Sequence, residues 1–129
     1  MKLNERAKEI LRGRSFAHVA AVDEDGRPHA SPVWVDVEGD KIVINTAQRR
    51  VKARLLQEGV PVALTALDPE NPYGYVGIRG RVAERTYDGA DAVIDRLARK
   101  YTGADFAGHA EGVKRITVLI EPEEVWVYG

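Results

Sequence analysis

Apolar residues recur along the chain in two rhythms. Over residues 4–12 they fall three and four apart, at Ala7, Ile10 and Leu11, behind Asn4 and ahead of Gly13. That spacing gathers them on one face of a short amphipathic helix, with Asn4 as N-cap and Gly13 as its stop. From residue 16 the rhythm changes. The runs FAHVAAV (16–22), HASPVWVDV (29–37) and KIVINTA (41–47) are continuous or alternating, and the intervening DEDGRP and EGD carry the Gly and Asp of tight turns. This pattern predicts an antiparallel meander.

Further on, VPVALTAL (60–67) reads as a buried strand, DPENP (68–72) as a turn-rich loop and YGYVGIRGRVAERTY (73–87) as one long strand. Alternation puts Tyr73, Tyr75, Gly77, Arg79 and Arg81 on one face of that strand, with Val76, Ile78 and Val82 on the other. Its glycines, 74, 77 and 80, imply bends or close backbone approach. Ala90, Val93, Ile94, Leu97 and Tyr101 return to helical spacing over 89–101, with Asp88 as the expected cap. TGADFAGHAEG (102–112) reads as a loop, and KRITVLI (114–120) and EEVWVYG (123–129) as two strands separated by Pro122. Strands joined as hairpins, with no βαβ units and three helices, predict a mainly β fold: a small antiparallel barrel decorated by helices.

One segment sits awkwardly in this pattern. NTAQRRVKARLLQEG (45–59) leaves a strand and enters a short helix whose start carries Arg49, Arg50, Lys52 and Arg54, and whose end carries Glu58. The helix macrodipole favours the reverse order, each misplaced charge costing a few tenths of a kcal/mol. On a helical wheel Arg50 and Arg54 stack on one face, Val51 and Leu55 form the seam expected to pack on the barrel, and Lys52 projects from the other flank. With Asn45, Thr46 and Gln48 beside them, these cations could cradle an anion, or they could be a solvated face. The residues alone leave both readings open.

Composition narrows the chemistry. The 129 residues fit one domain spanning 1–129, and 44% hydrophobic with 30% charged residues is globular. A net charge of −1 argues against a nucleic-acid coat or a polybasic membrane binder, so the local cluster of cations stands out. The chain has no cysteine, which excludes disulfides, thiolate metal sites and a cysteine nucleophile. No secretory h-region and no membrane-length apolar run occur, so a cytoplasmic protein with no membrane partner is expected. His18, His29 and His109 form no metal-ligand pair, and Ser15 and Ser31 lie in no GxSxG elbow. GxGxxG and GxxxxGKS are absent. The residues thus point to no metal and no catalytic acid–base set, and the EPEE run (121–124) reads as a solvated turn.

Four stretches, in order, carry a resemblance: FAHVAAVDEDGRPHASPVW, INTAQRRVKARLL, DPENPYGYVGIRGRV and RLARKYTG. Together they resemble the pyridoxamine-phosphate-oxidase-like split β-barrel superfamily, and within it the branch that uses the deazaflavin coenzyme F420. The resemblance implies an antiparallel split β-barrel of the FMN-binding type, forming a homodimer with cofactor sites along the interface. It further implies that Arg50 and Lys52 hold the cofactor phosphate with help from Arg54. By the same resemblance Asn45, Thr46 and Ala47 line the ribityl chain, Ser31, Pro32, Val33 and Trp34 lie against the ring, and Tyr75 comes from the partner subunit. Leu55 departs from the family pattern, which often has Asn there.

The implied activity is an F420-dependent oxidoreductase passing hydride from C5 of the deazaflavin to an unsaturated small molecule. An FMN-binding oxidoreductase is the nearest alternative, since both cofactors share the phosphate-bearing ribityl stem. Pyridoxamine phosphate oxidation itself would call for a C-terminal Arg–His motif that this chain lacks. A non-catalytic flavin or tetrapyrrole carrier is the alternative of a different class.

Overall fold

A computed structural model describes residues 2–129. The elements run α1 (Glu5–Arg12), β1 (Ala17–Val22), β2 (Pro28–Val33), β3 (Asp36–Glu38), β4 (Lys41–Ala47), α2 (Val51–Leu55), β5 (Pro61–Asp68), β6 (Asn71–Thr86), α3 (Ala90–Thr102) and β7 (Arg115–Tyr128). All seven strands belong to one antiparallel sheet in the order β2-β1-β5-β6-β7-β4-β3.

That order fixes the shape. Strand β2 ends at Val33 on one edge of the sheet and β3 begins at Asp36 on the other, with only Trp34 and Val35 between them. Three residue steps span at most ~11 Å. A flat sheet of this many strands would hold its edges ~29 Å apart. The sheet must therefore curl until its edges face one another across a seam, which makes it a split β-barrel.

The barrel interior is filled by alternate residues of each strand, among them Val19, Val33, Ile42, Ile44, Leu64, Ile78, Ile116 and Ile120, all buried. Each such aliphatic side chain contributes about 1.5–3 kcal/mol on leaving water. Helix α1 adds Ala7, Ile10 and Leu11 to the same cluster. Its start is capped as the sequence predicts, Ala7 N donating to Asn4 Oδ1 at 2.8 Å. Strand β4 is covered on both faces: Ile42 and Ile44 join the barrel core, while Val43 and Asn45 face outward, where Asn45 Nδ2 donates to Ala90 O of α3 at 2.9 Å.

Four local expectations are corrected. Residues 29–37 are two strands on opposite edges of the sheet, because the chain crosses the seam at Trp34–Val35. Residues 115–128 are one strand running through Pro122, which lies opposite Gly80 where the β6–β7 register shifts. A Cβ on Gly80 would lie 2.1 Å from Glu121 O, so glycine admits the approach that the irregular pairing requires. Helix α3 takes its N-cap at Gly89, at φ 71°, and not at Asp88. Finally, α2 is only five residues long and starts after Arg50.

The seam is fastened from outside by the end of α3. Tyr101 Oη donates to Ser15 O at 2.6 Å and accepts from Val35 N at 3.2 Å. Lys100 Nζ donates to Leu11 O at 3.0 Å and also to Val35 O. Replacing Tyr101 with Phe leaves a buried carbonyl and amide without partners, so we expect a loss of about 1–3 kcal/mol in urea unfolding. Tyr73→Phe, at a side chain 86% exposed, should leave the midpoint unmoved and serves as the control.

Candidate functional site

At the seam lies a cavity of about 300 Å³. Its floor comes from the end of β2 and the crossing, Pro32, Val33 and Trp34, and from Asn45 and Thr46 near the end of β4. Arg50 and Lys52 enter from the start of α2, Arg115 from the first residue of β7, Ile94 from α3, and Phe106 from the loop after it. Phe16, 69% exposed, stands at the mouth.

The charge in this cavity is one-sided. No Asp or Glu lines it, and Arg50, Lys52 and Arg115 form no salt bridge among the described residues. Lys52 is buried, 8% exposed, and its Nζ makes a single long contact to Pro32 O at 3.5 Å. Burial pushes its pKa below the ordinary lysine value, and the charges of Arg50 and Arg115 push it the same way. The guanidinium of Arg115 is likewise disfavoured, by burial first and then by Arg50, with Asp91 opposing weakly. A buried ammonium without a carboxylate is costly in an apolar setting, so the arrangement is one that an incoming anion would relieve.

Polar groups deeper in the cavity differ in how far they are satisfied. Asn45 is committed: its amide nitrogen reaches Ala90 O and Thr117 Oγ1, and its Oδ1 accepts from Arg115 Nε at 2.9 Å. Thr46 Oγ1 is buried with no hydrogen-bond partner. An orphaned hydroxyl beside three cations fits a ligand that carries both hydroxyls and a phosphate. The opposite wall is aromatic. Trp34 stacks on Tyr101 at 5.4 Å, and Phe106 meets Trp34 edge-on at 6.2 Å, so a flat ring entering here finds apolar faces already held in place.

Of the residues expected from the sequence, Pro32, Val33, Trp34, Asn45, Thr46, Arg50 and Lys52 line this cavity. Ser31 and Ala47 adjoin lining residues in the chain without lining it themselves, and Ser31 Oγ is also buried and unpartnered. Arg54 lies elsewhere, in a second hollow between α2 and the β1–β2 turn, with Asp23, Asp25 and His29. Tyr75 stacks on Tyr128 at 5.7 Å on the outer face of the sheet.

The expected helix seam of Val51 and Leu55 holds at Leu55, which packs against the barrel core, and fails at Val51. Ala53 and Leu56 are buried, whereas Val51 is 43% exposed. Arg50 is the N-cap of α2, and the Lys52 stem folds inward along apolar surface. A helix this short also has little macrodipole, so the charge reading rests on the side chains alone.

Phe16, Phe106 and Arg115 carry no site signal in the sequence pattern, and Ile94 signals only the apolar face of a helix. Each comes from a different part of the chain, and only barrel closure and the packing of α3 bring them to one place.

The fold and this seam cavity define a split-barrel protein of the flavin- and deazaflavin-binding kind. The chain belongs to the pyridoxamine 5'-phosphate oxidase family, whose sequence pattern it matches over residues 3–129. No curated protein matches it by sequence. Among solved structures it is similar to an F420 reductase, with TM-score 0.83 and 25% identity over 96% of this chain and 98% of that one. The HupZ protein of Group A Streptococcus shares the fold at TM-score 0.69 and 18% identity, covering 97% of this chain and 93% of that one. A hypothetical protein of Mycobacterium tuberculosis does so at TM-score 0.72 and 18% identity, covering 98% and 84%.

The depressed pKa of Lys52 has a consequence for stability. A lysine whose folded pKa lies below its unfolded value weakens the fold wherever it must be charged, at pH below the folded pKa. That penalty disappears as pH rises through the interval between the two values, whose upper bound is the unfolded value of ~10.4. Lys52→Met should therefore raise the Tm of the ligand-free protein at pH 7, with the gain shrinking as the pH approaches ~10.4. A Tm lowered by this substitution at neutral pH would mean that the ammonium is already compensated and the site is not poised for an anion.

Proposed function

We propose that the protein is a dimeric oxidoreductase that binds coenzyme F420 in the seam cavity and reduces an unsaturated small molecule. The observation that carries this reading is the buried, carboxylate-free cluster of Arg50, Lys52 and Arg115 beside the unpartnered Thr46 hydroxyl and the Trp34 wall. The likeness to an F420 reductase over nearly the whole of both chains supports it. FMN is the alternative ligand, because the same cations and hydroxyl would suit its ribityl phosphate equally.

In this reading Arg50 and Lys52 hold the phosphate, Asn45 and Thr46 meet the ribityl chain, and Pro32, Val33 and Trp34 lie along the ring. Bound, a reduced deazaflavin supplies a hydride at C5 to an electron-poor partner. The chain's part is to fix the two reactants face to face and keep water out. No Asp, Glu or His lines the cavity, in keeping with a site that binds and orients.

A dimer is supported by the outward face of β1, β5, β6 and β7. Strand register places Ala63 opposite both Ala20 and Arg79, Thr65 opposite both His18 and Gly77, and Leu67 and Tyr128 each opposite Tyr75. Leu67 and Tyr128 are 45% and 67% exposed, so this face offers apolar side chains to a second copy beside the exposed Arg79–Glu124 pair. It is continuous with the cavity mouth, since Leu67 N donates to Phe16 O at 3.4 Å. A second copy seated there would border the cavity, and Tyr75 of that copy is our candidate for its outer wall.

Fluorescence titration with F420 and with FMN tests the reading. We expect micromolar or tighter F420 binding, poorer FMN binding, and a loss of about 10- to 150-fold in Lys52→Ala or Arg50→Ala, each of which removes one charge-assisted bond. Arg49→Ala and Arg54→Ala should change affinity little, as both side chains lie outside the cavity. FMN binding tighter than F420 would move the reaction to flavin chemistry, and equal losses in all four variants would replace the site with diffuse attraction. Sedimentation at micromolar concentration should give a dimer that Leu67→Glu dissociates.

A further inference from the structure

Within the cationic cluster Arg115 is held differently from Arg50 and Lys52. Its Nε donates to Asn45 Oδ1 at 2.9 Å, and its guanidinium lies 4.9 Å over the ring of Phe106. One edge of the fork and one face are thus occupied, while its two Nη groups have no hydrogen-bond partner among the described residues. A guanidinium clamped on two sides has lost its rotamer freedom in advance and presents its remaining donors in a fixed direction.

The clamp depends on a loop that has no regular structure of its own. Phe106 N donates to Asp95 Oδ1 at 3.0 Å, and His109 Nε2 lies 2.8 Å from the same oxygen. Phe106 meets the rings of Trp34 and His109 edge-on. A Cβ on Gly108 would lie 2.5 Å from the Phe106 ring, so the backbone closes around that side chain. One carboxylate oxygen on α3 therefore anchors the loop that supplies the platform for Arg115.

We propose that Arg115 is the specificity-determining cation of the cavity, selecting a ligand with a phosphate on the end of its ribityl chain over the same ligand without it, and that Phe106 and Asp95 are its positioning residues. This rests on the reading of the cavity as the site of a phosphate-bearing ribityl ligand. Arg50 and Lys52 draw the anion into the cavity, whereas the free Nη pair of Arg115 meets two phosphate oxygens at once and so reads its geometry.

The test is a ratio of affinities. FMN and riboflavin differ by the phosphate alone and decide the question, while F420 and its phosphate-free ribityl deazaflavin differ by the phosphate together with the acidic tail it carries. Each pair is titrated against wild type, Arg115→Met, Arg115→Lys, Phe106→Leu and Asp95→Asn, with circular dichroism confirming the fold. Arg115→Met should weaken the phosphorylated member by about 10- to 150-fold and leave the phosphate-free member within about twofold. Arg115→Lys should restore only part of the loss, because an ammonium lacks the fork. Phe106→Leu and Asp95→Asn should each weaken the phosphorylated member several-fold in wild type and have no such effect in the Arg115→Met background.

A structural role alone would instead shift both members of a pair and persist in that background, and this result would overturn the proposal. If Lys52→Ala selectively weakens the phosphorylated ligand while Arg115→Met does not, the anion site stands and the assignment to Arg115 falls. Failure of wild type to bind either pair overturns both.

Discussion

The structure depends first on a chain-length constraint: two residues, Trp34 and Val35, connect the opposite edges of a seven-stranded sheet. Such a link permits only a closed-up sheet, and it decides where the two side chains go. Val35 is fully buried, while Trp34, one step along, is half-buried, faces the cavity and stacks on Tyr101. The same short link leaves backbone groups at the seam that no strand can pair. Tyr101 and Lys100 satisfy those of Val35, so α3 is both the clasp of the barrel and, through Ile94, a wall of the cavity. The closure of the fold and the shape of the site are one arrangement.

A second tension is electrostatic. Burial makes the charged states of Lys52 and Arg115 less favourable, Arg50 adds to this for both, and Arg115 adds to it for Lys52. A fold selected for stability alone would place a carboxylate among them or replace Lys52 with an apolar residue, since an unpaired buried charge is expensive. Elsewhere the protein does pair its charges: Arg6 with Asp68, Lys8 with Asp40, and Arg99 with Asp105. Keeping three cations without an acid at the seam is therefore a local exception, of the kind expected where a ligand completes the charge balance.

Much of the fold was legible because its signals are local. Alternation marked the strands, spacing marked α1 and α3, and Asn4 and Gly13 closed α1 as their chemistry demands. Errors arose where tertiary geometry overrules local pattern. Pro122 looks like a strand break, yet a β-bulge opposite Gly80 absorbs its missing donor. HASPVWVDV looks like one strand because its alternation continues, although the chain changes sheet edge in the middle. The basic segment was legible as charge but not as geometry. Leu55 packs on the core as expected, but Ala53 and Leu56 are buried in place of Val51, with Lys52 turned inward and Arg54 outside the cavity. Arg115 had no sequence signal, because its pairing with Ala47 across β4 and β7 is a long-range contact.

That pairing also explains why three cations from distant positions converge. Ala47 is the last residue of β4 and Arg115 the first of β7, and Gln48 N continues the ladder by donating to Lys114 O at 2.9 Å. The chain then turns directly into Arg50, so Arg50 and Lys52 are held close to Arg115 by the sheet and not by mutual attraction. Like charges kept together by backbone hydrogen bonds cannot drift apart to relieve their repulsion, as exposed lysines on flexible stems would. An anion arriving at the seam meets a charge field already assembled, with the ordering completed at folding, and the binding free energy is not spent on gathering the side chains.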